Sequence, residues 1–199
     1  MKTSGGWGDK MQYDQLISDL EELLKENSRC IIGIDGRCAG GKTTLSNLLA
    51  GRFPARVFHM DDFYLPVEQR VAGWEKIPCA NMDFERMIKT VLQPAKKGEA
   101  VQYEVYSCRE KRLLPPIEIT GQPLTIVEGS YSHYPELLSF YDLTVFLTCR
   151  RETQKERLIE REGERYPNYE RLWIPLEEGY YRKYHVGEMV DYRIATDER

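Results

Sequence analysis

One stretch of this 199-residue chain constrains it more than any other: Gly36-Arg37-Cys38-Ala39-Gly40-Gly41-Lys42-Thr43, which reads G-x-x-x-x-G-K-T. Ahead of it, Cys30-Ile31-Ile32-Gly33-Ile34 is a short apolar run of the kind that forms a buried strand. Behind it, Thr44-Leu45-Ser46-Asn47-Leu48-Leu49-Ala50 has the make-up of a helix. Strand, glycine loop and helix together form a cradle for a phosphate. Gly36, Gly40 and Gly41 lack a Cβ, so the backbone can curl with its N–H groups pointing inward. The helix opening near Lys42 adds its positive end. Lys42 is placed to reach the β- and γ-phosphates of a triphosphate. The Thr43 hydroxyl is placed to hold Mg²⁺, and Thr44 follows it at the start of the helix. A glycine-rich turn before an ordinary helix is the rival reading, and it leaves the agreement of glycines, lysine, hydroxyl and flanks unexplained.

The totals exclude several classes. Lys and Arg number 28 against 32 Asp and Glu, a net charge of -4, so no overall basic field of the kind used for non-specific nucleic-acid binding is present. Hydrophobic residues at 41% and charged residues at 30% fit a soluble globular domain with a sizeable core. No apolar stretch approaches the ~20 residues of a membrane-spanning helix. Met1 to Lys10 is polar and glycine-rich, without the apolar run of a signal peptide. Cys30, Cys38, Cys79, Cys108 and Cys149 are scattered, with no C-x-x-C pair, which fits free thiols in a reducing cytoplasm.

Along the chain, Gly5-Gly6-Trp7-Gly8 reads as a flexible start. Leu16, Leu20, Leu23 and Leu24 recur at helical spacing between Tyr13 and Glu26. Arg56 to Met60 is a short strand that runs into Asp61-Asp62-Phe63-Tyr64, a carboxylate pair at the strand end where ligands of open α/β sheets bind. One of these acids can accept a substrate hydroxyl proton or help to place Mg²⁺. Leu65 to Ala80 reads as a substrate loop. Asp83 opens a helix through about Lys97, with an N-cap as its plainer role. Val101 to Tyr106 and Leu113 to Ile119 read as a small inserted hairpin, the second strand interrupted by proline and suited to an edge. Leu124-Thr125-Ile126-Val127-Glu128 is a buried strand ending in an acid, the Walker B form that puts Glu128 near Mg²⁺. Tyr134 to Phe140 is a short helix and Leu143 to Leu147 another buried strand. Glu152 to Glu162 is a charged helix with Arg157 and Arg161 four apart on one face, and Arg165 lies beyond Gly163. With the phosphate loop present, these arginines read as a lid rather than as a solvated face. Tyr169 to His185 forms a long aromatic helix and Val190 to Ala195 a last strand.

The expected fold class is α/β: a P-loop NTPase three-layer α/β/α sandwich with a mostly parallel sheet, an inserted hairpin and a helical lid. The whole of 1–199 reads as one domain. Its parts are an N-terminal helix (1–28), the P-loop unit (29–60), a substrate-binding segment with the hairpin (61–122), the Walker B and following strand (123–149), the lid (150–170), and a C-terminal helix and strand (171–199).

From about Cys30 onward the sequence resembles the uridine kinase-like P-loop kinases, relatives of phosphoribulokinase and bacterial pantothenate kinase. The carriers are GRCAGGKTT, MDDFYLP, ANMDFERM, VEGSY, YDLTVFLTCRRETQKERLIERE and WIPLEEGYY. The resemblance implies that Asp61, matching the aspartate of a Q-D-S-F-Y-type segment, acts as base toward the acceptor hydroxyl, with Tyr64 beside it on the substrate side. It implies that Asp83, in Asn81-Met82-Asp83-Phe84, takes the place of the N-F-D-H aspartate that holds ribose hydroxyls, and that Tyr103 lines the acceptor pocket. Glu128 corresponds to the acid after the Walker B strand. Arg157 and Arg161 match the lid arginines, with Arg165 as a further substrate-side candidate. Two departures stand out. Tyr103 to Arg109 has no histidine where uridine kinases carry one for the pyrimidine base, and a glutamine near the start of the last long helix is absent, with Asn168 the nearest polar residue.

The expectation is therefore an ATP- and Mg²⁺-dependent kinase for a hydroxyl of a small molecule. A nucleoside acceptor, a sugar or cofactor-precursor alcohol, and a nucleotide-binding regulator without transfer all stay open. Nucleic-acid and membrane partners are not expected, and a homo-oligomer is left open.

Overall fold

The structure is a computed structural model that describes residues 6–197, with side chains from Tyr13 onward. Met1 to Gly5 lie outside the described residues, and with them part of the flexible start and of the polar, glycine-rich stretch Met1 to Lys10 read from the sequence. Helix α1 (Gly6–Glu26) already includes Gly6-Trp7-Gly8, so those three are helical instead of loose. Once Leu16 and Leu20 are fully buried on the sheet, each further turn toward the N-terminus adds hydrogen bonds without a new nucleation cost.

Five strands form the central sheet: β1 (Cys30–Gly36), β2 (Ala55–His59), β7 (Leu124–Glu128), β8 (Leu143–Thr148) and β9 (Tyr192–Ala195), in the order β2-β7-β1-β8-β9. Every pairing is parallel. β1 and β7 are buried throughout their lengths, as expected of parallel strands covered on both faces. On one face α1 and α2 (Lys42–Arg52) bring Leu16, Leu20, Leu45 and Leu49 against Ile32, Ile34, Ile126 and Val145. On the other, Phe58, Val127 and Phe146 meet Met87, Val91, Leu92, Tyr180 and Tyr181. These come from helix α3 (84–97) and helix α6 (166–184), each continuous and each widened by one π-helical turn, at Ile88–Leu92 and Tyr169–Trp173. Two layers of helix thus enclose the sheet.

The segment between β2 and β7 leaves the carboxyl end of β2 and comes back to the amino end of β7, with α3 as its return arm. Asp83 caps α3, accepting the Arg86 amide at 3.0 Å. The inserted hairpin is split into two short antiparallel ladders, β3 (Val101–Tyr103) with β6 (Ile117–Ile119) and β4 (Tyr106–Ser107) with β5 (Arg112–Leu113). Pro115 and Pro116 cannot donate to a ladder, which accounts for the break. After the short helix α4 (Pro135–Leu138) and β8 comes α5 (Arg151–Glu162), the helix of the expected lid.

Candidate active site

β1 and α2 deliver the loop. Gly36 has φ 140°, and a Cβ there would lie 2.0 Å from the Leu147 carbonyl oxygen of the neighbouring strand, so only glycine lets the chain turn off β1. Gly41, at φ 94°, makes the left-handed step into α2. The Gly40 amide closes the turn on the Arg37 carbonyl at 2.8 Å.

The loop is held from outside by distant residues. Fully buried Asp35 accepts the Gly36 amide at 2.6 Å with one oxygen; the other takes the His133 amide and the Tyr180 hydroxyl, each at 2.8 Å. Thr196, just past β9, donates its hydroxyl to the Gly40 carbonyl at 2.9 Å. Glu177 of α6 accepts the Cys38 amide at 3.1 Å. Burial pushes the Cys38 thiol well above its ordinary value, with the Glu177 carboxylate as the next cause, so it is no ready nucleophile.

Lys42 folds over the loop, donating to the Gly36 carbonyl at 2.6 Å and the Arg37 carbonyl at 3.0 Å, with Ser130 Oγ at 3.4 Å. Thr43 Oγ1 donates to Glu128 Oε1 at 3.2 Å, and His59 Nδ1 meets the same oxygen at 2.5 Å. Register brings these together: β7 lies between β1 and β2, and Glu128 pairs with Ile34 on one side and His59 on the other. The hydrogen bond to Glu128 raises the His59 pKa against the opposing effect of burial.

Asp61 and Asp62 sit on a 3-10 turn (Met60–Phe63) directly after β2. Asp61 accepts the Tyr64 hydroxyl at 3.0 Å. Asp62 accepts the Tyr103 hydroxyl at 3.0 Å, and burial raises its pKa.

A cavity of about 1000 Å³ joins these groups. Of the residues singled out in the sequence, Gly40, Gly41, Lys42, Thr43, Thr44, Asp61, Tyr64, Glu128, Arg157 and Arg161 line it. Gly36 lies beneath, shaping the turn. Arg157 is anchored: it donates to the Ala39 carbonyl at 3.3 Å and to Thr196 Oγ1 at 3.0 Å, clasping the loop from the lid side. Arg161 pairs with Glu162 at 2.9 Å and lies over the Tyr169 ring. Three further candidates fall outside the lining. Asp83 is spent on its cap and on an ion pair with Arg86 at 3.1 Å. Tyr103 is buried, stacked on Phe63, and reaches the cavity only through Asp62. Arg165 is exposed and paired with Glu162 at 2.9 Å. Asp62, the second acid of the carboxylate pair, lines the cavity too, and so do His59, Ser130, Tyr169, Trp173 and Glu177, to which the sequence alone attaches no role. The fragments VEGSY and WIPLEEGYY contain three of them, and that was the available signal.

The residues present suit a triphosphate with Mg²⁺. The loop offers backbone amides beside a lysine, and the Thr43 hydroxyl meeting the Glu128 carboxylate is a pair of hard oxygen donors. Among the described residues no group of three or more His, Cys, Asp or Glu could hold a metal unaided.

The model of the phosphoribulokinase / uridine kinase family matches residues 31–165. The chain belongs to that family. Among curated proteins, human nicotinamide riboside kinase 2 is 32% identical over 142 residues, covering 65% of this chain and 56% of the relative. The mouse protein of the same name is 40% identical over 70 residues, 32% of this chain and 35% of the relative. The match therefore spans about half or less of those proteins. Among solved structures, one described as a "possible uridine kinase" from Bacillus stearothermophilus superimposes with a TM-score of 0.70 at 19% identity, over 93% of this chain and 98% of that one. D-glycerate 3-kinase from Cryptococcus neoformans does so with a TM-score of 0.60 at 12% identity, over 97% and 96%. At these identities the likeness is one of fold, and it matches the parallel sheet and helical layers seen here. No helix among the described residues is long and apolar enough to cross a membrane.

Proposed function

We propose that this member of the phosphoribulokinase / uridine kinase family transfers the terminal phosphoryl group of ATP to a hydroxyl of a small molecule. The observation that carries the reading is the single cavity in which Lys42 and the loop face Asp61 and Asp62. A nucleotide grip alone needs no carboxylates opposite the phosphates. In the reaction Asp61 takes the proton of the acceptor hydroxyl. The oxygen then attacks the γ-phosphorus, the bond to the β-phosphate oxygen breaks, and ADP leaves. Lys42 and the loop amides stabilise charge on the β- and γ-phosphates, and Arg161 reaches in from the lid. Mg²⁺, held by Thr43 and Glu128, would supply charge neutralisation between the phosphates. Asp62, braced by Tyr103, keeps Asp61 and the turn in place.

Tyr64, Tyr169 and Trp173 give the acceptor side of the cavity an aromatic wall, with Tyr64 and Trp173 centroids 6.2 Å apart. A wall of this kind favours an acceptor with a flat ring, as a nucleoside has. The names of the curated relatives point the same way. Cys108 borders the cavity in the segment where uridine kinases have a pocket histidine, so the ring contacts differ from those of a uridine kinase. The five cysteines are free thiols, which supports a reducing compartment such as the cytoplasm.

The test is ADP release measured over nucleosides including nicotinamide riboside, uridine and cytidine, and over sugars and vitamin alcohols. Release with a ring-bearing nucleoside is expected. Release with open-chain alcohols alone overturns the acceptor assignment, and no release with any acceptor, from protein that binds ATP, overturns the kinase reading.

A further inference from the structure

Helix α6 runs one face along the whole cavity. Tyr169 and Trp173 border its acceptor side, and Glu177, four residues on, borders the phosphate loop. Glu177 is only 4% exposed. Its Oε2 takes the Cys38 amide at 3.1 Å, and its Oε1 takes the Ser130 hydroxyl. Ser130 Oγ in turn lies 3.4 Å from Lys42 Nζ. Ser130 donates to Glu177, which leaves its lone pairs free for the ammonium group of Lys42. The same helix makes two more ties to this corner: Glu178 pairs with Arg37, and the Arg37 guanidinium lies 5.9 Å from the Tyr181 ring centroid.

A buried carboxylate beside an anion-binding loop is costly, since it is stripped of water and repels phosphate. Its contacts show what offsets that cost. The Cys38 amide belongs to the variable part of the loop, where no helix or strand fixes the backbone. Lys42 would otherwise have only loop carbonyls as partners.

We propose that Glu177 is a positioning residue of the phosphate loop, holding the Cys38 amide and, through Ser130, Lys42 in the arrangement that receives a triphosphate. The inference rests on reading Gly36 to Thr43 as the nucleotide grip of the proposed kinase. Glu177 acts through hydrogen bonds, so an amide in its place keeps most of the effect: glutamine still presents a carbonyl to Cys38 and can donate to Ser130.

Calorimetric affinities for ATP and for inorganic tripolyphosphate, taken alongside thermal unfolding, test this without any turnover. Glu177→Ala is expected to weaken both ligands about tenfold, and Glu177→Gln less than about threefold. Ser130→Ala is expected to weaken both about threefold and to add little to Glu177→Ala, because the two residues act in series. Equal losses for tripolyphosphate and ATP locate the effect at the phosphates. Wild-type affinity in folded Glu177→Ala, a Glu177→Gln loss as large as that of alanine, or losses that multiply in the double variant each overturn the proposal. Should Glu177→Ala not fold, Ser130→Ala decides, and unchanged affinity there is equally fatal. A wild-type protein that binds ATP and phosphorylates nothing defeats the kinase reading while these binding comparisons still stand. One that binds neither ligand defeats both.

Discussion

At the scale of single residues, charge and reach set the expectations. Lys42 is the cation of the loop, and losing a charge-assisted contact to phosphate is worth about 1.5–3 kcal/mol. Lys42→Ala should therefore weaken ATP binding roughly 10- to 100-fold, read by calorimetry; unchanged affinity removes Lys42 from the grip. Asp61→Asn keeps the shape of the side chain and loses its basicity. Turnover should fall by about 10²–10⁴ with ATP affinity within about twofold of wild type. Near-normal rates would pass the base role to Asp62, whose pKa burial raises above the ordinary carboxylate value. That Lys42, Thr43 and Glu128 lie together was legible in the sequence, because each closes a contiguous motif at the carboxyl end of a strand. Ser130 and Glu177 were not. Their contact spans 47 positions and the bond from Cys38 to Glu177 spans 139, and no local pattern announces a bond between such distant residues. Asp83 shows the converse: the N-cap reading of its position describes its contacts, and its carboxylate faces Arg86 instead of the cavity.

Among elements, α6 changes most on passing from sequence to structure. Its aromatic residues marked a long helix, and the helix is there, but periodicity could not show that it braces β1. Tyr180 is fully buried and donates to Asp35 at 2.8 Å, so Tyr180→Phe leaves a buried carboxylate with one donor fewer. A loss of about 1–3 kcal/mol is expected in urea unfolding. A loss under about 0.5 kcal/mol would mean that Asp35 is satisfied without α6. The hairpin shows the opposite limit: its strands were legible from alternation, whereas the division into two ladders depends on where Pro115 and Pro116 fall against the partner strand.

For the molecule as a whole, alternating strands and helices made a parallel sheet legible. The order of strands was not, because it is fixed by packing between segments far apart in the chain. One buried group ties overall stability to pH. His133 Nε2 lies 3.0 Å from the Gly33 carbonyl, which can only accept, so that nitrogen carries the proton and Nδ1 is bare and unpartnered. Burial pushes the His133 pKa below its ordinary 6.5. The unfolded chain then binds the proton more readily than the folded one. Stability is complete above pH 6.5 and falls as the pH drops from there toward the lower folded-state value. The slope is at most about 1.4 kcal/mol per pH unit. Urea midpoints compared at about pH 7.5 and 5.5 should show the loss in the wild type and less of it in His133→Gln. Equal slopes would exonerate the histidine.

The braces of the phosphate loop also set a schedule for synthesis. The loop is translated at Gly36 to Thr43, yet the residues that steady it come much later: Glu177 follows Cys38 by 139 positions, and Thr196 follows Gly40 by 156. A nascent chain carries the motif long before it carries the supports, and domains complete their folding as units. Ribosome-bound chains arrested ahead of residue 177 should pass through a nucleotide column unretained, and chains released with Thr196 in place should be held.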